Sequence, residues 1–447
     1  MSLFELSFSK QTPEQRLGTI ILLGTLGLLL FGPLAFGAVE PWSISIIQTG
    51  AALLLVVWSI QQAVLGKIHV LPNPLFAPML AFGGLILAQL VLRQTAYAHE
   101  TVSCALAYCY YGLLCFLASQ SLVREEQVRY LAWILAVYGA AVAGFALLQG
   151  IASNGRLYWL REPTNGGWIY GPYVNHNHYA GLMEMLVPIP LVVALSKLAD
   201  QRTRVTAAVA AAIMAGTIFL SGSRGGMIAL LAEFALLAAL LAKQEKGRRT
   251  ATMVGIFSTI IFGVLVWLGG ADLGHRISTV GEAAHSDLTN STRMNLNRDG
   301  IHMFLRKPIL GWGLGTFPVA YPEFRSFYTN FFVNEAHDDY VQLLVEMGLL
   351  GFATMIWFLV AAGRSCVSKI RNWTTDINGA LAAACLLGIS GILVHSMVDF
   401  NLQIPANAAL FYVLCTLAAS QKILAPVRRR RPVKNSQEHS MPASEVV

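Results

Sequence analysis

The chain has 447 residues, of which 55% are hydrophobic and only 12% are charged, and its mean hydropathy is +0.57. Soluble domains carry about 25% charged residues, so this composition excludes an ordinary water-soluble globular protein and indicates a polytopic membrane protein. The net charge of +7 follows mainly from the sorting of basic loops across a membrane, and it says little about nucleic acid.

Apolar runs dominate the chain, and about twelve are suitable for a membrane-spanning helix, which needs about 20 mostly apolar residues. They start near residues 17, 43, 75, 101, 128, 178, 205, 226, 251, 340, 377 and 405. We therefore predict an all-α polytopic membrane protein with about twelve transmembrane helices. The predicted organisation is nine spans over 1–270, a long outer loop with short helices over 271–340, three spans over 341–424, and a disordered basic tail over 425–447.

The basic residues are distributed unequally between the two sides. Twelve spans put both termini on one side, and that side receives 21 of the 31 Lys and Arg residues. The positive-inside rule makes it cytoplasmic. The other ten lie outside, six of them in the long loop, and long loops are exempt from the rule. We expect the tail run Arg428–Arg431 to anchor the chain beside acidic lipid.

Polar features interrupt the apolar pattern at the outer side, and the first two are short. One is the loop over about 150–177, which ends in a segment containing Asn175 and His178. The other is the turn Ser223–Gly226 between two closely spaced spans, which contains Arg224. A guanidinium so near hydrocarbon is costly; it either anchors to lipid phosphate or offers its planar fork to a bound phosphate group.

The third feature is the long loop, in which Met294–Leu305 has helical patterning that stops at Lys307-Pro308. Asn290–Thr292 provide a plausible N-cap for this helix. We expect the three features, with the turn Asp399–Pro405, to converge on one outer site. Each arginine of this loop has two interpretations, a solvated charge or a substrate ligand, and the candidates are Arg276, Arg293 and Arg298.

His337 lies in Asn334-Glu335-Ala336-His337-Asp338-Asp339, at the start of a span. One interpretation is a helix-capping histidine at the level of the membrane interface, although Asp338 and Asp339 would cap this helix N-terminus without its help. The other is a general base, since an unperturbed imidazole titrates near 6.5 and its neutral form is available at about pH 7.

Two further stretches of the long loop have alternative interpretations. Gly311-Trp312-Gly313-Leu314-Gly315 does not follow a strand, so we reject a nucleotide-binding loop and expect a tight turn that folds the loop onto the membrane. The aromatic residues over 317–332 form either an interfacial belt or stacking faces for a sugar chain.

Four ionisable residues fall formally inside spans, where such groups are functional candidates by default. Neither Glu233 nor His395 has an evident partner in the sequence, and no role is assigned to any of the four. They are Glu184, Glu233, Glu346 and His395.

Four motifs occur in order around the long loop. They are Asn175–Gly181, Ser221–Gly226, Ser291–Arg293 ahead of Pro308–Phe317, and Ala336–Tyr340 running into Glu346–Gly351. With these motifs, the region over about 170–405 resembles the O-antigen ligase and O-antigen polymerase superfamily of bacterial inner membranes. One departure is Asn295–Asn297, where relatives often carry an aromatic residue.

The resemblance implies a GT-C-like glycosyltransferase of the inner membrane with a periplasmic active site. It implies that a glycan on undecaprenyl diphosphate is transferred whole to an acceptor sugar, with inversion and without a metal, a nucleotide or another cofactor. By motif, His337 is the expected base, and Arg224 and Arg293 are expected to hold the diphosphate. The residues expected around the substrate are Arg276, Arg298, Asn175, His178, Asp338 and Asp399.

Several functions stay open at this point. A ligase uses a lipid A core sugar as acceptor, a polymerase uses another lipid-linked glycan, and a third relative glycosylates protein; we favour the ligase. A flippase or secondary transporter is the main alternative of another class, and a non-catalytic scaffold is a further one. Transporters place polar groups near the midplane of repeated halves, whereas here the charges gather at one face and the halves do not match.

Overall fold

A computed structural model describes residues 12–162, 169–244, 290–329 and 332–420, together with residues 252, 255 and 263. The described chain is helical, and its β-type pairings are two isolated bridges. Its α-helices are α1 (Pro13–Leu34), α2 (Pro41–Leu65), α3 (Phe76–Val91), α4 (Ala98–Ser121), α5 (Glu125–Ile151), α6 (His176–Leu186), α7 (Pro188–Leu195), α8 (Gln201–Leu220), α9 (Arg224–Ala242), α10 (Asn290–Arg306), α11 (Phe317–Ala320), α12 (Asp339–Lys369), α13 (Ile377–His395) and α14 (Pro405–Ala419).

The prediction of an all-α polytopic membrane protein is confirmed. Nine helices of the described ranges are long and apolar enough to cross a membrane, when α6 and α7 are taken as one span over His176–Leu195. The shorter apolar helices α3 and α14 correspond to two further predicted runs. Apart from residues 252, 255 and 263, the predicted run near 251 lies outside the described residues, as do the tail and the part of the long loop that contains Arg276.

Helix starts follow local chemistry. In lipid every backbone polar group needs an internal partner, which favours helices, and the first turn of each helix leaves N–H groups without one. Side chains cap several of these turns, and proline, which has no N–H, begins others. The capping residues include Asp200, Ser223, Asp338 and Asp376, and the prolines include Pro13, Pro41, Pro188 and Pro405.

The centre of the bundle consists of α6, α13 and α14. Every residue of α6 is buried, and so is α14 from Ala406 to Ala419. The outer helices, by contrast, expose large apolar side chains such as Leu53 on α2 and Leu80 on α3, as lipid-facing helices do. His176 and His395, at the ends of two of these helices, are buried as well.

The described loops lie at two ends of the helical bundle. At one end, Lys197 N donates to Thr374 O over 2.7 Å, and Asn73 Nδ2 donates to Thr416 O over 3.0 Å. This end carries short basic loops, with Lys67, Lys197, Arg204, Lys243 and Arg371. The other end holds the start of α12 and the turn after α13, and we call it the site end.

The described part of the long loop contains the predicted helix, which is α10. Its described part runs over Asn290–Arg306, so Asn290–Thr292 lie inside the helix, and the prediction that they precede it as a cap is wrong. The helix packs through Leu296 and Met303 onto Phe317, Tyr321 and other residues of the loop. Asp299, which is buried, accepts hydrogen bonds from Tyr321 Oη and Ser326 N.

After α10 the chain folds onto α12, as the glycine-rich sequence predicts. Gly348 interrupts α12 with φ 62° and ψ −165°, and the loop fills the interruption. Leu349 N donates to Pro308 O over 2.8 Å. A Cβ on Gly348 would lie 2.3 Å from Ile309 O, and one on Gly311 would lie 2.4 Å from Glu346 O. Only glycine fits at both positions, so the tight turn is confirmed.

Glu346 fastens the same loop. Its carboxylate accepts hydrogen bonds from Gly315 N over 2.8 Å and from Phe317 N over 3.2 Å. Gln89 of α3 reinforces the junction by donating to the Glu346 carbonyl over 2.8 Å. Glu346 therefore has a structural role, because its carboxylate accepts hydrogen bonds from two backbone amides of the loop.

Candidate active site

The turn between α13 and α14 is the centre of the site end, and Asp339 holds it. Asp339 Oδ2 accepts hydrogen bonds from Ser396 Oγ over 2.7 Å and from Leu402 N over 3.1 Å. Asp339 N donates to Ser396 O over 3.0 Å. The start of α12 is thus fixed to both ends of this turn.

The cap of α12 is Asp338 alone. Its Oδ1 accepts from Tyr340 N and Val341 N, each over 3.0 Å. The prediction that Asp339 shares in capping is wrong, because its side chain faces the neighbouring turn instead. With Asp338 as the cap, His337 is not needed for it, and the capping interpretation of this histidine loses its basis.

His337 lies beside Asp399 of the turn. The distance between His337 Nδ1 and Asp399 Oδ1 is 3.7 Å. The Asp399 side chain is 1% exposed and that of His337 is 18% exposed, so the imidazole is the accessible member of the pair. His337 has a φ of 56°, a left-handed conformation that costs a residue with a side chain free energy and that occurs often at functional sites.

A second imidazole faces the same carboxylate oxygen. His178 Nε2 lies 4.0 Å from Asp399 Oδ1, and this side chain is buried. Phe400 separates the two histidines, with its ring in edge contact with each imidazole at a centroid distance of 4.7 Å. The turn therefore places one acidic group between two histidines from distant parts of the chain.

Asp399 is held in its ionised form. Burial opposes ionisation, but the neighbouring imidazoles of His337, His178 and His395 outweigh it and hold the pKa of Asp399 well below its usual range. Its Oδ2 is buried and has no hydrogen-bond partner within the described ranges. The carboxylate thus supplies a fixed negative charge beside His337 at neutral pH.

Arg293 reaches the same turn from α10. Its Nη1 donates to Val398 O over 2.7 Å. Asn297, one turn further along α10, donates from Nδ2 to Asp338 Oδ2 over 3.4 Å. The helix that carries Arg293 is therefore oriented by two contacts, one with the turn that carries Asp399 and one with the residue that follows His337.

Arg224 is the first residue of α9, and it is exposed. Ser223 caps this helix, and its Oγ accepts a hydrogen bond from Gly226 N over 3.1 Å. Gly225, the neighbour of Arg224, lies against the turn: a Cβ there would be 3.1 Å from Val398 Cγ2. His176 fastens the preceding turn to α6 through Nδ1, which lies 2.8 Å from Ser221 O. Arg224 and Arg293 thus both belong to segments that contact Val398.

Two of the remaining predicted substrate residues have structural roles as helix caps. Asn175 caps α6 by accepting a hydrogen bond from Asn177 N over 2.8 Å, and Asp338 caps α12. Arg298 is exposed on another side of α10 from Arg293. Arg276 lies outside the described residues.

The ionisable residues inside the spans also have places. Glu184 Oε1 lies 2.8 Å from His395 Nδ1, and both side chains are buried. The carboxyl group of Glu233 lies against Gly391 of α13, and its two oxygens have no hydrogen-bond partner in the described part of the chain. Within that part, no group of three or more His, Cys, Asp or Glu residues is arranged to hold a metal ion.

Sequence reasoning missed three features of this site: the clamp made by Asp339, the role of the Val398 carbonyl as an acceptor, and the pairing of Glu184 with His395. The available signal was the polar interruption Ser396–Asn401 between two apolar runs. It marks a site-end turn but does not say which distant side chains meet there.

Part of the chain is similar to a known protein family. Residues 209–356 match the model of a family described as O-antigen ligase, and the matched segment contains Arg224, Arg293 and His337. His178 and Asp399 lie outside it and join it only in the fold. No curated protein was found to match the chain. Together with the motifs and the helical membrane architecture, the match over residues 209–356 supports the O-antigen ligase and polymerase superfamily for this chain.

Proposed function

We propose that this protein is an O-antigen ligase-type glycosyltransferase that moves a glycan whole from undecaprenyl diphosphate to a sugar of the lipid A core. The observation that carries the proposal is the accessible imidazole of His337, held beside ionised Asp399 at a turn that Arg293 also contacts. A base, an acidic group that orients it, and cations for a diphosphate are the parts that such a transfer needs.

His337 is the proposed general base. Asp399 faces its Nδ1, which favours the tautomer with the proton on that atom and leaves Nε2 to accept a proton. Nε2 takes the proton of the acceptor hydroxyl while the hydroxyl oxygen attacks the anomeric carbon. The bond from that carbon to the diphosphate oxygen breaks, and the electron pair leaves with the diphosphate. Direct displacement inverts the anomeric configuration.

Arg224 and Arg293 are the proposed diphosphate ligands. A guanidinium has five N–H donors, and the bond to Val398 O uses one of those on Arg293. Arginine binds phosphate oxygens through paired hydrogen bonds, and two such groups neutralise charge that develops on the leaving group. We further propose that His178 and Asp399 lie at the edge of the sugar site, with Arg298 and Arg276 near the approach of the substrate.

The membrane orientation is part of the proposal. The short loops at the end opposite the site carry the basic residues, which supports a cytoplasmic location for that end and for both termini. The site end then faces the periplasm across the bacterial inner membrane. With this orientation, the proposed organisation is nine spans over 1–270, a catalytic loop over 271–340, three spans over 341–424 and a tail over 425–447.

Reconstitution tests the function. The purified protein is incubated with an undecaprenyl-diphosphate-linked glycan, with and without lipid A core, and the products are identified by mass. Attachment of the glycan to the core supports the ligase. If the lipid-linked glycan is lengthened in the absence of core, the protein is a polymerase that uses the same donor. If the intact lipid-linked glycan crosses the membrane of a vesicle without being transferred, the protein is a flippase.

A further inference from the structure

A buried carboxyl–imidazole pair lies beneath the site. Glu184 is on α6 and His395 is the last residue of α13, and their side chains meet at 2.8 Å between Oε1 and Nδ1. Both side chains are at most 1% exposed, and both belong to helices long enough to span the membrane. Such groups are expensive to bury in this setting, so their retention calls for a specific role.

The pair contacts the arginine turn on one side. A Cβ on Gly225 would lie 2.6 Å from His395 Nε2 and Cδ2, and a Cβ on Gly226 would lie 2.9 Å from Glu184 Oε1. The first turn of α9 therefore rests directly on the two side chains. Arg224 begins that turn, so the pair sets the height and direction of the backbone that carries its guanidinium.

On the other side the pair contacts the turn that carries Asp399. His395 O accepts hydrogen bonds from Val398 N over 3.0 Å and from Asp399 N over 3.1 Å. The residue that holds the carboxyl group of Glu184 thus also begins the turn that presents Asp399 to His337. One interaction joins three segments: α6, the start of α9, and the turn after α13.

We propose that Glu184 and His395 are positioning residues that fix Arg224 and Asp399 relative to each other; this inference rests on the proposed transferase function. A buried pair is strongly coupled, because the loss of one partner leaves the other without compensation in a medium of low polarity. Glu184 and His395 need no contact with substrate in this role. They act by fixing the positions of Arg224, which is proposed to bind the diphosphate, and of Asp399.

The test compares Glu184→Ala with Glu184→Gln in the purified full chain. Glutamine keeps an oxygen that accepts from His395 Nδ1–H, whereas alanine leaves the imidazole alone. We expect Glu184→Ala to lower kcat by about 10²-fold, the typical cost of misplacing catalytic groups by about 1 Å, and to weaken binding of a short-chain polyprenyl diphosphate. Glu184→Gln is expected to recover a large part of both.

The matched control is Tyr179→Phe. Tyr179 is buried on the same helix, and its Oη makes a hydrogen bond of the same length, 2.8 Å, to Thr217 Oγ1. This substitution removes one buried hydrogen bond without touching the arginine turn or Asp399, so transfer is expected to continue at the wild-type rate. Equal losses in Tyr179→Phe and Glu184→Ala would overturn the inference, because general packing would then explain both.

If Glu184→Ala does not fold, a second variant tests the contact between His395 and the first turn of α9. Gly225→Ala adds one carbon against the His395 ring and changes no titratable group, and we expect it to reduce kcat and diphosphate binding together. Transfer at the wild-type rate in either folded variant would refute the positioning role. Absence of transfer by the wild-type protein would instead refute the proposed function.

Discussion

The Nδ1 atom of His337 lies 3.7 Å from Oδ1 of Asp399, although the two residues belong to segments separated by two membrane spans. Asp339 fixes this relationship, because it follows the cap of α12 and binds the backbone and side chains of the turn that carries Asp399. The clamp therefore holds the segment that carries the accessible imidazole against the turn that carries the buried carboxylate.

The first prediction concerns the proposed base. His337→Ala should lower the transfer rate by about 10²- to 10⁴-fold, the usual contribution of general-base catalysis, while a polyprenyl diphosphate still binds. Transfer is measured by mass detection of the glycan product, and binding by calorimetry. His302→Ala, on the solvent-facing side of α10, serves as the matched histidine control. A His337→Ala protein with normal transfer would remove His337 from the mechanism.

Substitution of Asp399 is expected to be milder than loss of the base. Asp399→Asn keeps the size of the side chain but removes the negative charge beside His337 Nδ1, so the imidazolium that forms during transfer loses its stabilisation. We expect kcat to fall with little change in the KM for the lipid-linked donor. The double variant His337→Ala with Asp399→Asn should be no slower than His337→Ala alone; a full additive loss would mean that Asp399 acts independently.

Arginine geometry is tested at Arg293. Arg293→Lys keeps the positive charge but loses the planar fork that binds phosphate and the carbonyl of Val398 together. We expect weaker donor binding and slower transfer, both measured at several salt concentrations. Arg306→Lys, at the exposed end of the same helix, is the control and should behave as wild type. If the two variants behave alike, the planar guanidinium of Arg293 is not needed for donor binding.

Glu335, two residues before His337, predicts a pH dependence of stability. Burial raises its pKa from the ordinary 4.5 to about 8, and its Oε2 accepts from Gln342 Nε2. The folded state then keeps a proton that the unfolded state loses, so this group lowers stability as pH rises from about 4.5 to about 8. Glu335→Gln should flatten this part of the Tm-versus-pH curve. An unchanged slope would show that Glu335 ionises normally.

The interrupted helix gives a prediction about glycine. Gly348→Ala should destabilise the protein by about 1 to 3 kcal/mol or more, because φ is positive and loop backbone occupies the space of a Cβ. Gly363→Ala lies on the same helix with no atom within 4 Å of the new carbon, and should stabilise it by up to about 1 kcal/mol. Thermal unfolding in detergent distinguishes them; equal Tm values would contradict the tight loop–helix contact.

The sequence by itself determined the spans, their order and the side on which the polar groups collect. Eleven of the twelve predicted runs lie in described residues, and each is a helix there. These features are local: a run of apolar residues must satisfy its own backbone in lipid, and glycines such as Gly311 mark a tight turn wherever the loop docks. The helix α10 was predictable from the local patterning of Met294–Leu305, although Asn290–Thr292 also proved to be helical.

Tertiary structure alone decided which polar side chains meet. Glu184 and His395 are 211 positions apart, and neither carries a local sign of the other. Asp338 and Asp339 look equivalent in sequence, yet one caps a helix and the other clamps a turn. Most buried polar groups have a hydrogen-bond partner, but which partner it is depends on how whole helices pack, and hydropathy and spacing do not encode that.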